Sequence, residues 1–233
     1  MESRETERIK DVYQRYQQSD CCHRIWYEDS PGNLFLSRST KKSVFSLLEK
    51  QGLREQLSRF RILEVGCGGG RLLAQFVHWG AKENLVFGVD LIEERVKSAQ
   101  AKLPAGSVQC ADAANLPYEN QFFDLILQFT MLSSILDQAV RRKAAEEMLR
   151  VLKPGGFVIS FDTRYPNPQN SNTRPVLRRE FQSYFSGCRI AHYPVLLIPQ
   201  LARFLAPISV NLCLLLERIP ILRSHYLVLV EKR

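Results

Sequence analysis

RILEVGCGGG, residues Arg61 to Gly70, sets an apolar run, an acid and a glycine-dense turn in direct succession, and a helical pattern follows at once. Each part has a physical job. Apolar residues on both sides of a strand suit a sheet covered on both faces. Glycines let the backbone take conformations closed to other residues and pass close to a ligand. A second apolar run, LVFGVD, ends at Asp90, twenty residues beyond Gly70. An acid at the tip of the neighbouring strand can accept both hydroxyls of a ribose. The pair of features points to a ligand that contains a nucleoside, held by the first half of the chain.

Outward from this stretch, strand and helix patterns alternate. Strands are predicted at Arg61–Val65, Leu85–Asp90, Val108–Ala111, Phe123–Phe129 and Phe157–Asp162, with helical patterns at about 71–79, 92–102 and 138–152 between them. KPGG, Lys153 to Gly156, reads as the stop of the last helix and the turn into the next strand. Such alternation implies βαβ units and a parallel sheet, with the ligand at the carboxyl ends of the strands. The prediction is an α/β, Rossmann-like, doubly wound sheet of seven strands, the last antiparallel. Residues 1–60 form an N-terminal helical cap, with helices at 4–18 and from Ser39 to Gln56 around a loop at Pro31–Asn33. Residues 61–233 form the main domain. After a polar loop and a helix at Arg178–Phe185, a strand near Arg189–Tyr193 and a final strand, HYLVLVEKR, enclose an apolar helical insert at 194–222.

The chain has 233 residues and a net charge of +8, and residues 163–233 carry ten basic against three acidic side chains. A solvated basic surface, an anionic acceptor and an acidic membrane surface all accommodate that bias. The amino end, MESRETERIK, has no apolar stretch of the secretory kind, and the run Phe204–Leu216 is too short to span a bilayer as a helix. Six scattered cysteines (21, 22, 67, 110, 188, 213) form no C-x-x-C pair, so reduced thiols in a cytoplasmic protein, with no metal site, are expected.

Nicotinamide and flavin enzymes also use glycine turns, but the spacing here is E-x-G-x-G-x-G, and Arg71 breaks the dinucleotide fingerprint. A further acid, Asp112, ends the third strand in CADAANLPY, and Phe123-Asp124-Leu125 opens a fourth strand that reaches Gln128. With ILEVGCGGG, VFGVD, CADAANLPYENQFFDLILQF and MLRVLKPGGFVI in this order, the chain resembles the class I S-adenosylmethionine-dependent methyltransferases, nearest the small-molecule type that includes quinone and sugar methyltransferases. The resemblance covers about 60–162. It implies S-adenosyl-L-methionine as cofactor and S-adenosyl-L-homocysteine as its product. It assigns Glu64, Gly66, Cys67, Gly68 and Gly70 to the turn around the methionine part, and Asp90, with Leu91 beside it, to the ribose. Asp112 and Ala113 take the adenine, and Gln128 the methionine end where the acceptor enters. Taken singly, Glu64 also reads as a helix cap and Asp112 as a turn residue.

Methyl transfer from a sulfonium needs alignment and exclusion of water more than a catalytic triad, and a base only where the acceptor must lose a proton. Candidates are Asp162, ending the fifth strand, to orient or deprotonate a hydroxyl, Arg164 just beyond it, to hold an anionic group, and His192, which flanks the apolar insert. A loop-anchoring ion pair and a satisfied structural histidine are the plainer readings of the same residues. Tyr13 and Tyr16 fit closure over the cofactor and core packing equally well. QFTM follows the fourth strand where an adenine N-methyltransferase would carry N/D-P-P-Y, and no aromatic-studded basic RNA-reading module is visible, so a small-molecule or glycan acceptor is expected and nucleic acid is not. O-methylation of a sugar or sugar-lipid is the leading expectation. Its rivals are a quinone or natural-product O-, N- or C-methyltransferase and a non-catalytic cofactor-binding regulator or scaffold. A pocket lined by Arg164, Arg174 and Arg178 would favour a sugar phosphate, and an all-apolar one a quinone. The insert at 194–222 reads as a packed cap, a lid over a lipophilic acceptor, or a peripheral contact with a membrane.

Overall fold

The computed structural model describes residues 4–18, 30–167 and 170–233. Seven strands form one sheet in the order β3-β2-β1-β4-β5-β7-β6. These are β1 (Ile62–Val65), β2 (Val86–Asp90), β3 (Ser107–Cys110), β4 (Phe123–Phe129), β5 (Leu152–Thr163), β6 (Arg189–Leu197) and β7 (Arg223–Glu231). β1 to β5 run parallel, whereas β7 lies antiparallel between β5 and β6. The sheet has the expected doubly wound form. Strand order reverses between β1 and β4, which is where such sheets open a crevice for ligands.

Helices cover both faces. On one lie α2 (Pro31–Lys50), α3 (Arg71–His78), α4 (Glu93–Lys102) and α8 (Pro199–Leu205), which bury Leu48, Phe76, Ala99 and Ala202 against Leu125 and Leu127. On the other lie α6 (Gln138–Val151) and α7 (Arg178–Tyr184), which bury Met148 and Phe181 against Ile126 and Val228. Two short helices, α5 (Met131–Ser134) and α9 (Val210–Leu216), follow β4 and α8 respectively, and α1 (Arg4–Gln18) lies across the carboxyl edge.

Four boundaries differ from the sequence reading. Pro31–Asn33 is no loop: Ser30 caps α2 by accepting from the Asn33 N–H at 3.3 Å, and Pro31 takes the first turn, where its missing N–H costs nothing. α2 therefore runs from Pro31 and stops at Lys50, short of Gln56. KPGG lies inside β5, because Leu152 already pairs with Phe123 ahead of a register shift. β6 continues through Pro194 to Leu197; as an edge strand it tolerates a proline, and the insert shrinks to 198–222. Among the described cysteines Cys67, Cys110, Cys188 and Cys213 are free thiols, while Cys21, Cys22 and residues 168–169 of the polar loop lie outside the described residues.

Candidate functional site

The turn after β1 is shaped by backbone conformation. Gly66, Gly68 and Gly70 have φ of 77°, 52° and 73°, the left-handed region that favours glycine. The Gly66 and Cys67 N–H groups both donate to the Val89 carbonyl, at 2.8 and 2.9 Å, which ties the turn to the end of β2. A Cβ on Gly66 would stand 2.9 Å from Met131, so the glycine also permits the close approach of α5. Gly70 serves packing instead. A Cβ there would press on Ala99 at 3.0 Å, so its absence lets α3 lie close on α4.

Asp90 is buried at the tip of β2. Its Oδ2 accepts from the Gly68 N–H at 2.8 Å and its Oδ1 from the Ile92 N–H at 3.0 Å. A carboxylate carries about four acceptor positions, so hydroxyl donors can still be met. Asp112 accepts from the Ala114 N–H at 2.8 Å, a turn contact, and from the Thr6 hydroxyl of α1 at 3.2 Å. Glu64 is buried at the end of β1, and its Oε2 has no hydrogen-bond partner. Burial, and after it the negative Asp90, push its carboxyl well above the usual carboxylate range.

These elements enclose a cavity of about 210 Å³, small beside ligand pockets of about 300–1,000 Å³. Its floor and walls include Gly66, Cys67, Gly68, Asp90, Leu91, Asp112 and Ala113. The β4 end supplies Phe129, Thr130, Met131, Ser134 and Ile135, with Val140 behind them. α1 closes the top with Thr6, Ile9 and Tyr13. It is fastened there by the Arg8 guanidinium donating to the Ser134 carbonyl at 2.7 Å and by Glu5 accepting from the Leu136 N–H at 2.6 Å. The Arg95 guanidinium lies over the Tyr13 ring at 4.1 Å, and Tyr16 meets Tyr13 edge-on.

The structure thus brings seven of the ten cofactor candidates to one cavity, and Glu64, Gly70 and Gln128 stand behind it. Gln128 is fully buried. Its amide donates to Ser160 and Asp162, and its carbonyl accepts from the Leu132 N–H at 3.2 Å. Side chains alternate along a strand, so the next residue, Phe129, is the one that faces the cavity.

The three catalytic candidates lie outside it. Asp162 is buried and accepts from Gln128, from the Ser133 N–H at 2.9 Å and from Ser160 at 3.0 Å; burial raises its pKa against those hydrogen bonds. It braces α5 against β5. Arg164 donates to the Pro220 carbonyl at 2.9 Å and lies over Tyr165 and Tyr226. His192 sits mid-strand in β6, edge-on to Phe181 and Tyr226, and burial together with the Arg178 charge lowers its pKa to about 4.

Sequence reasoning missed Thr130 and Arg141. Thr130 holds φ 58°, uncommon for a residue with a Cβ, and its N–H donates to the Phe161 carbonyl at 2.7 Å. Arg141, fully buried, grips the Ile135 carbonyl with two nitrogens and so fixes the chain at the cavity wall. No residue pattern announces either one: Thr130 depends on Phe161 of the neighbouring strand, and Arg141 on the complete burial of its side chain.

The comparisons with known proteins agree with this geometry. Residues 62–156 match the family described as a methyltransferase domain. That segment therefore has the sequence pattern of a methyltransferase domain, and S-adenosylmethionine is the cofactor that goes with it. The chain is 37% identical over 99 residues to a tRNA (carboxymethyluridine(34)-5-O)-methyltransferase of Arabidopsis thaliana, a match covering 42% of this chain and 22% of that protein. It is 29% identical over 153 residues to a demethylmenaquinone methyltransferase of Desulfitobacterium hafniense, covering 63% and 54%. A solved S-adenosylmethionine-dependent methyltransferase from Thermotoga maritima superposes with a TM-score of 0.61 at 20% identity, covering 98% of this chain and 99% of that one. The alignments span between about a fifth and three fifths of the first relatives' own length.

The cofactor of this family suits the residues present. Asp90 and Asp112 offer acceptors at separate points of one cavity that Gly66 and Gly68 also line, and Glu64, two residues before Gly66, keeps one buried carboxyl oxygen unpartnered.

Proposed function

We propose that the protein transfers a methyl group from S-adenosylmethionine to a lipophilic small molecule. One observation carries the reading: a single cavity joins the glycine turn and two acids to a largely apolar end built from Phe129, Met131, Ile135 and Val140. Bound S-adenosylmethionine supplies an already activated methyl group. The residues of this chain are then needed to orient and enclose. Asp90 would hold the ribose hydroxyls, Asp112 the adenine amine, and the turn from Gly66 to Gly68 the methionine part. α1 excludes water through Ile9 and Tyr13, which matters because alignment in a dry site accounts for much of the rate in a displacement of this kind.

The apolar end favours a quinone-like or other lipophilic acceptor over the sugar or sugar-lipid expected from sequence. The arginines that would anchor a sugar phosphate are engaged elsewhere: Arg174 pairs with Glu180, Arg178 lies over Tyr226 and Arg164 binds the Pro220 carbonyl. Phe129 stacks on Phe161 at 5.3 Å, and Phe161 on His225 at 4.7 Å, so an aromatic path leads from the cavity toward the start of β7. The hydroxyls at the apolar end belong to Tyr13, Thr130 and Ser134, with Tyr13 and Ser134 at 3.4 Å. They offer hydrogen bonds to a phenol or hydroxyl acceptor, and a phenol that is already ionised requires no base.

The test is incubation with S-adenosylmethionine labelled in its methyl group and two acceptor pools, one of isoprenoid quinols and phenols and one of sugars and sugar phosphates. Labelled product from the first pool supports the reading. Product from the second alone returns the acceptor to the sugar class, and calorimetric cofactor binding without product from either identifies a binding protein.

A further inference from the structure

We infer that the α8–α9 segment is a docking surface for an anionic lipid bilayer, which takes the lipophilic reading one step further. The molecule places its apolar exposure in one short stretch. Eight of the eleven large apolar side chains exposed among the described residues fall between Phe204 and Ile221. Phe204, Ile208 and Ile221 are each 70–72% exposed. These are not residues left over from a poorly covered core. The same stretch buries Ala202, Ala206 and Cys213 completely or nearly so, and Gly32 lets α2 and α8 come into close contact at Arg203. One side of the segment is packed and the other is offered outward.

Charge decides the occupant. Glu217 is the only acid in 198–222, and it is turned inward to accept from the Ser39 hydroxyl and from the Leu197 N–H at 3.2 Å. The exposed charge of the segment is Arg218. Arg38, Lys41 and Lys42 are exposed on α2, the helix that Gly32 and Ser39 join to the segment. Apolar side chains with no outward acid in 198–222, edged by these cations at the middle of α2, suit acyl chains beneath anionic headgroups. Among the described residues no helix is long and apolar enough to cross a membrane, so the segment would lie on the surface rather than span it. None of the insert lines the cofactor cavity, which leaves docking and cofactor binding separable.

The experiment is sedimentation of the full chain with vesicles of phosphatidylcholine alone and of phosphatidylcholine mixed with phosphatidylglycerol. The protein is expected to pellet with the mixed vesicles, roughly tenfold more than with neutral ones, and to be released by salt. Phe204→Ser/Ile208→Ser/Ile221→Ser should lower binding about tenfold or more, and Lys41→Glu/Arg218→Glu should erase the preference for anionic vesicles. Both variants should bind S-adenosylhomocysteine as the parent does, which shows that they fold. Protein that stays in the supernatant with mixed vesicles overturns the inference, as does a triple-serine variant that pellets like the parent. A parent that sediments as a dimer, split by the serine substitutions and indifferent to vesicles, assigns the face to a second copy instead. Because the readout needs no methyl transfer, failure of the acceptor assay with intact vesicle binding would sink the functional reading alone.

Discussion

At the turn after β1, three glycines hold positive φ, backbone N–H groups are spent on Val89 and Asp90, and Cys67 is the one side chain between Gly66 and Gly70. At α8 and α9, by contrast, the backbone is ordinary helix and the chemistry lies entirely in large side chains left in solvent. The first region recognises a ligand by position, so single atoms matter there. The second presents area, and area is tolerant of detail. Substitutions should therefore act sharply in one place and diffusely in the other.

The largest effect is expected at Gly66. Alanine there must adopt φ near 77° and meet Met131 at 2.9 Å, so affinity for S-adenosylhomocysteine should fall about thirtyfold or more by calorimetry. An unchanged constant would remove the turn from the binding site. Asp90→Ala should cost about 1.5–3 kcal/mol of cofactor affinity. It should also lower the melting temperature, since Gly68 and Ile92 lose their acceptor. Loss of stability without loss of affinity would make Asp90 a purely structural brace.

A third prediction concerns pH. His192 and His225 both titrate near pH 4 in the folded chain, held down by burial and, for His192, also by the Arg178 charge, against an ordinary value of 6.5. The unfolded chain binds more protons at these two histidines between those values, so their contribution to stability is complete above pH 6.5 and is lost as pH drops toward 4. Urea midpoints across that interval should show a slope that His192→Gln/His225→Gln flattens; parallel curves would refute it. Smaller still, Tyr13→Ala removes the ring beneath Arg95 and should weaken cofactor binding by about 0.5–1 kcal/mol. Last, Phe204→Ser, Ile208→Ser and Ile221→Ser should leave that affinity within about 0.5 kcal/mol. A larger change would show that the two regions are coupled.

Sequence alone disclosed much of the first region, because its physics is local. A glycine turn after an apolar run, and an acid closing the next run, are written in consecutive residues, and Asp90 stands in the cavity with that turn. Strands at 62–65, 86–90 and 123–129 are readable because each is a buried parallel strand and so a mainly apolar run. What escaped depended on partners far along the chain. Gln128 and Asp162 look like site residues at strand ends, but they bind each other across β4 and β5. Pro31 is a different, local case: Ser30-Pro31-Gly32-Asn33 are residues that serve a turn or a helix start equally, and the Ser30 cap makes them a helix start. The exposure of the insert was equally hidden: an apolar run reads the same whether it is buried or bare.

The chain departs from β6 at Ile198 and rejoins β7 after Leu222, and these two residues share one hydrogen bond of 2.9 Å. Since the ends already touch, exchanging what lies between for a longer or shorter excursion adds little closure entropy. The protein is thus built like a tool with an interchangeable head: a new face can be tried at that junction while the nucleoside grip, on the far strands, goes on working unaltered.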